Sequence, residues 1–178
     1  MEPFSQIRTE RLLLRPPSEA DAAAIFQRYG QDAEVARYMS WRPHKSIDDR
    51  LTFLRRIVSD NAAGHSRGYL IFSSGAGTLL GSIGGAVEGH RMQFGYLLAR
   101  DSWGKGIATE AATQFVATIL GETKISRAQA YCDVDNCASA HVLEKAGLQL
   151  DGTLRRYLIL PNLGRQPRDV LLYAKVRD

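Results

Sequence analysis

The chain has 178 residues, 44% hydrophobic and 24% charged, a balance and length that predict one soluble domain over residues 1–178. Its net charge of +4 is too small and too scattered for a nucleic-acid footprint, and no apolar run approaches the ~18 residues of a membrane span. Residues 1–6 lack the basic start and apolar core of a signal peptide, which predicts a cytoplasmic protein with neither nucleic acid nor membrane as partner. Cys132 and Cys137 do not form a C-x-x-C pair, and His44, His65, His90 and His141 make no ligand spacing. Two free thiols and no metal site are therefore expected.

In chain order, residues 7–15 read as a strand, with Leu12, Leu13 and Leu14 between two arginines and Pro16-Pro17 as its stop. Ser18 caps a helix with Ala22, Ile25, Phe26 and Tyr29 on one face, and Gly30 ends it. Asp32 starts a short helix, and Ser46 a longer one with Leu51, Leu54, Ile57 and Val58 as its stripe. Residues 69–72, 78–87 and 92–98 then form an antiparallel meander joined by glycine turns. A helix over residues 106–120 leads into a strand over 127–133, which the crossover makes parallel to 92–98. A helix over 137–145, capped by Asn136 and stopped by Gly147, precedes a hairpin of residues 154–160 and 169–176. The fold class is mixed α/β: one central, mostly antiparallel sheet with a single parallel pair, flanked by helices.

The segment Trp103-Gly104-Lys105-Gly106-Ile107-Ala108-Thr109-Glu110 joins a strand to a helix. Such a junction leaves backbone N–H groups unpaired at the positive end of the helix dipole, and its glycines let a phosphate approach. A glycine-rich turn without a ligand has the same local sequence. No P-loop lysine follows, and Thr109 stands where the third glycine of a dinucleotide fingerprint belongs. That dinucleotide reading stays as an alternative. Asn136 and Ser139, three residues apart, share a helical face.

Gln93-Phe94-Gly95-Tyr96-Leu97-Leu98 followed by the Trp103 to Ala111 segment resembles the acetyl-CoA motif of GNAT acetyltransferases. Thr9-Glu10-Arg11-Leu12, Asp135-Asn136-x-x-Ser139, Leu143-Glu144-Lys145-Ala146-Gly147 and Arg168-Asp169 agree in collinear order, and resemble most the Rim-like branch that acts on ribosomal proteins. The resemblance implies a GNAT fold whose two parallel strands splay, with acetyl-CoA as cosubstrate and no metal. It implies cofactor contacts from Phe94, Gly95, Tyr96, Leu97 and Leu98, where Gly95 suits a bulge and the pantetheine arm pairs like a strand. It implies further contacts from Trp103, Gly104, Lys105, Gly106, Ile107, Ala108, Thr109, Asn136 and Ser139.

Ser139 is the candidate donor to the departing sulfur, with a solvent-facing hydroxyl as its alternative role; Leu143 stands where many members carry a tyrosine acid. Asp151 is the candidate base, with a turn residue as its alternative role. The expected reaction is direct transfer to a primary amine in a ternary complex, most suitably a peptide or protein N-terminus. A polyamine or aminoglycoside acceptor and an idle acyl-CoA sensor are the alternatives. Tyr38-Met39-Ser40-Trp41, Tyr157 and residues 161–167 are the expected acceptor walls of a monomer or homodimer, with Arg155, Arg156, Arg165 and Arg168 crowding the last hairpin.

Overall fold

The computed structural model describes residues 6–177, so residues 1–5 of the stretch read for a signal lie outside it. No described helix is long and apolar enough to cross a membrane. Among the described residues, eight strands form one sheet in the order β1-β2-β3-β4-β5-β6-β8-β7. They are β1 (Ile7–Arg8), β2 (Leu12–Arg15), β3 (Ser66–Ser73), β4 (Leu79–Glu88), β5 (Arg91–Leu98), β6 (Arg127–Asp133), β7 (Gln149–Leu158) and β8 (Arg168–Val176). The helices are α1 (Ala22–Ile25), α2 (Ala33–Ala36), α3 (Ile47–Ala62), α4 (Ile107–Gly121) and α5 (Cys137–Lys145).

The strand expected over residues 7–15 is a two-strand hairpin instead. The Thr9 hydroxyl accepts from Leu12 N–H and contacts Glu110 of α4, which breaks the ladder there. The helix expected after Ser18 is likewise subdivided, into a 3-10 turn (Glu19–Asp21), α1, and a π turn (Phe26–Gly30). β7 begins five residues before its expected start, because its exposed residues pair with β8 without offering an apolar alternation to read.

Alternation along the strands builds two cores. Tyr69 and Ile71 of β3, with Met92, Phe94 and Leu98 of β5, pack under α4 and α5 against Phe115, Ile119 and Leu143. Leu70 of β3 and Leu79 of β4 pack on the opposite face against Ile25, Tyr29, Val35 and Leu54 from α1, α2 and α3. The sheet is therefore covered on both faces.

One departure from regular pairing positions everything functional. β5 pairs with β4 without a break, from Gly81↔Leu98 to Glu88↔Arg91. Its parallel pairing with β6 stops after Arg91↔Arg127, Met92↔Ala128 and Gln93↔Gln129. β6 stays fully paired with β8 as far as Asp133. The strands thus part from Phe94 onward. No bulge occurs at Gly95; the irregularity in this part of the sheet lies between β3 and β4 at Ile71/Phe72.

Phe115, fully buried between Tyr69 and Phe94, ties α4 to this sheet. Phe115→Ala should cost about 3–5 kcal/mol by cavity formation, measurable as a shift in the denaturant midpoint.

Candidate active site

Where β5 and β6 part, one backbone edge of β5 is left without a strand partner. The Leu97 and Gln93 carbonyls point at β4, since Cβ atoms built at Gly81 and Gly85 would lie 2.1 and 1.8 Å from them. By the two-residue alternation of strand groups, the N–H groups of Phe94, Tyr96 and Leu98 face the gap. The Leu98 carbonyl is taken by the Trp103 indole N–H at 2.9 Å, which folds the following loop back toward the gap.

That loop leads into α4. Gly104 and Gly106 have φ of +72° and +74°, a left-handed backbone that glycine adopts without strain. Gly106 caps α4 without any side-chain hydrogen bond, so the first amides of the helix remain available. Nothing lies within 4 Å of where a Cβ on Gly104 would sit. The loop is tied down from the turn between β1 and β2. Arg11 donates to the Lys105 carbonyl at 3.1 Å and pairs with Glu110 at 2.6 Å, and Glu110 also receives the Arg11 N–H. Thr9 and Arg11 thereby hold the turn from outside. Their part in the site follows only from the hairpin that sequence reading missed.

α5 brings a second set of groups to the gap. Asn136 Oδ1 accepts from Ser139 N–H at 3.2 Å and closes the first turn, and its Nδ2 has no hydrogen-bond partner among the described residues. The Ser139 hydroxyl lies 2.8 Å from the Tyr96 hydroxyl, which also contacts the Ser139 carbonyl at 3.1 Å. Burial pushes the Tyr96 hydroxyl far above the usual phenol range, so it stays protonated throughout the neutral range. Burial, then Asp133, pushes the neighbouring Cys132 thiol up to about 11, which disfavours a thiolate.

A cavity of about 440 Å³ runs between these groups and the α1–α3 face of the sheet. Gly84, Gly85 and Gly95 form part of its lining, and nothing lies within 4 Å of where a Cβ on Gly95 would sit. Tyr38, Met39, Ser40 and Trp41 wall it. Asn162 holds that wall by donating to the Ala36 and Trp41 carbonyls at 2.6 and 2.8 Å. Among the described residues, two acids line the cavity, and each has an arginine partner. Asp60 faces Arg56 at 3.6 Å. Asp133 is gripped by Arg168, whose guanidinium holds that carboxyl below its ordinary range.

A family model described as "Acetyltransferase (GNAT) domain" matches residues 11–149. The chain belongs to the GNAT acetyltransferase family. The uncharacterized N-acetyltransferase YoaA of Bacillus subtilis (strain 168) is 30% identical over 177 residues, covering 98% of each chain. Among solved structures, RimL, a ribosomal L7/L12 α-N-protein acetyltransferase in complex with coenzyme A, superposes with a TM-score of 0.88 at 23% identity, over 98% of this chain and 99% of that one. MccE, a microcin C7 self-immunity acetyltransferase with acetyl-CoA and AMP, gives 0.86 at 23% identity, over 95% of this chain and 94% of that one.

Within this GNAT fold, the residues expected around the cofactor fall into three groups. Phe94 to Leu98 form the open strand edge, Gly104 to Thr109 the uncapped helix start, and Asn136 with Ser139 the first turn of α5. Tyr96 adds a side-chain hydroxyl, 2.8 Å from that of Ser139, to this set. Asp151 does not join them. It is exposed, paired with Arg127 at 2.5 Å, and outside the cavity lining; Arg127 belongs to the closed end of the β5/β6 pair. Tyr157 also stays outside, edge-on to Tyr131 at 5.6 Å. None of Arg155, Arg156, Arg165 and Arg168 lines the cavity.

The uncapped amides and left-handed glycines fit a pyrophosphate, and the open edge fits an extended amide-bearing arm. Gly106→Val places a branched side chain on a left-handed residue at the mouth of this turn. Coenzyme A affinity, measured by calorimetry, should fall by roughly tenfold or more, while circular dichroism reports a retained fold. Unchanged affinity would remove the turn from the site.

Proposed function

We propose that this protein transfers the acetyl group of acetyl-CoA to a primary amine, with a peptide or protein N-terminal α-amine as the acceptor class, by direct attack in a ternary complex. The observation that carries the reading is the parted β5/β6 pair: an unpaired strand edge between an anion-binding helix start and a hydroxyl pair, opening into a separate acceptor cavity. Bound there, acetyl-CoA supplies an activated acyl group. The gap-facing N–H groups of β5 stabilise the oxyanion that forms as the amine attacks. The Ser139 hydroxyl, backed by Tyr96, gives its proton to the departing sulfur as the Tyr96 hydroxyl replaces it, and the proton that the amine nitrogen loses as the amide forms returns through water to restore the pair. This pair stands in for the tyrosine missing at Leu143, which disfavours an idle sensor.

The acceptor class follows from the missing base. An amine attacks only when neutral, and both acids in the lining are engaged in ion pairs. At pH 7.5 about a third of an α-amine is neutral, against roughly one in a thousand lysine-type amines. A site without a free carboxylate favours the former. It also offers polycations no counter-charge.

Ser139→Ala should lower turnover by about 10²-fold, as loss of a positioned proton donor does, with coenzyme A affinity nearly unchanged by calorimetry. Wild-type turnover in that variant would leave water as the acid.

Across acceptors, kcat/KM for peptide α-amines should exceed that for spermidine or kanamycin. It should rise with pH and level off above the amine's own pKa of about 8. Faster acetylation of the polycations would sink the acceptor assignment. An inflection that stays fixed when peptides of different amine pKa are compared would restore a protein base.

A further inference from the structure

The acceptor cavity contains a charge that the transfer chemistry does not use. Arg50, from the first turns of α3, is only 4% exposed and is the one lysine or arginine in the cavity lining among the described residues. Elsewhere this chain pairs its buried guanidinium groups. Arg67, the other buried arginine among the described residues, meets Glu122 through two nitrogens at 2.8 and 2.9 Å, and even the partly exposed Arg15 meets Asp21 in the same way. Arg50 has no such partner. Its Nε is buried without a hydrogen bond, and no described carboxylate forms an ion pair with it. Its neighbours are neutral: Nη1 lies 3.5 Å from His44 Nε2, and the guanidinium stacks 5.1 Å above Phe53. Burial, and then Arg50 itself, pushes the His44 imidazole below its usual range, which favours its neutral form.

A lone buried cation is costly to hold, because water is removed and nothing replaces it. Facing a cavity, it becomes an anion-binding group whose desolvation is already complete. Trp41, stacked on His44 at 5.2 Å, and Phe53 keep the surroundings apolar, which strengthens any pair formed there. From this corner the same cavity continues over Gly84, Gly85 and Gly95 to Ser139.

We infer that the acceptor is an amine that also carries an anionic group, a carboxylate or a phosphate, and that Arg50 binds this group while the amine lies at the β5/β6 gap. The inference rests on the acetyl-transfer reading. It narrows the acceptor to zwitterionic amines, such as a peptide N-terminus followed closely by an acidic or phosphorylated residue.

The test uses the full chain and matched acceptor pairs: Ala-Glu against Ala-Gln peptide amides, and Ala-phosphoserine against Ala-Ser peptide amides. Wild-type kcat/KM should favour the anionic member of at least one pair by roughly tenfold or more, the worth of a charge-assisted hydrogen bond. The pair that shows the preference identifies carboxylate or phosphate. In Arg50→Gln that ratio should collapse toward one, and Arg50→Lys should keep part of it. Equal rates within both pairs, or a preference that survives in Arg50→Gln, would overturn the inference. Calorimetry of the N-acetylated peptides on coenzyme A-loaded protein measures the same discrimination without turnover. If no amine is acetylated, the transfer reading fails, while tighter binding of the anionic peptides still decides for Arg50 and equal binding decides against it. If Arg50→Gln does not fold, the wild-type pairs and Arg50→Met give the same comparison.

Discussion

A backbone edge that leaves one strand partner must find another. β5 and β6 share three paired residues at one end, and each is then held on its far side, β5 by β4 and β6 by β8. Neither strand can swing across to close the gap without breaking a long antiparallel ladder. The N–H and C=O groups left facing it are strong hydrogen-bonding groups that sit poorly in an apolar interior. An extended ligand with amide groups of its own satisfies them at little cost, because the receiving edge is already fixed. The rest of the site is arranged along this gap: a helix start for an anion near one end, hydroxyls from β5 and α5 within it, and a cavity beyond.

Much of this was legible in the sequence because it depends on local rules. The strand over residues 127–133 and the helix over residues 137–145 coincide with β6 and α5, since apolar alternation and an Asn-to-Gly frame mark them unambiguously. The glycine-spaced helix start could be read for the same reason: its chemistry is in the backbone. What could not be read depends on distant packing. Thr9 and Arg11 looked like parts of a strand, and only the approach of Glu110 converts them into a brace. Asp151 precedes a glycine and resembled a base in a turn. Pairing of β7 with β8 instead carries it toward Arg127, away from the gap.

Charge placement was the least legible property. Four arginines crowd the last hairpin, and their sequence left open whether they face the cleft or solvent; Arg168 turns to Asp133 and Asp135, and the others stay out of the cavity. The cation that does enter comes from α3, whose spacing marks Arg50 as an ordinary position on an amphipathic helix. Its burial arises when the segment from Tyr38 to His44 folds over that helix, held by Asn162 from the far end of the chain. No local pattern encodes such a meeting. The one sign within reach was the pair of aromatic residues, Trp41 and Phe53, that bracket Arg50 in sequence.

The two unusual features of the cavity reinforce each other on the proposed reading. With no free carboxylate, the cavity neither deprotonates an amine nor attracts a polycation, so the acceptor's own acidity decides whether it reacts. With Arg50 unpaired, the empty cavity retains a desolvation cost that an anionic group relieves on binding. An acceptor with a neutral amine at one end and an anion at the other meets both conditions. A carboxylate beside Arg50 would have cancelled its charge and removed this selectivity. The missing acid is therefore as much a part of the specificity as the arginine that it leaves unpaired.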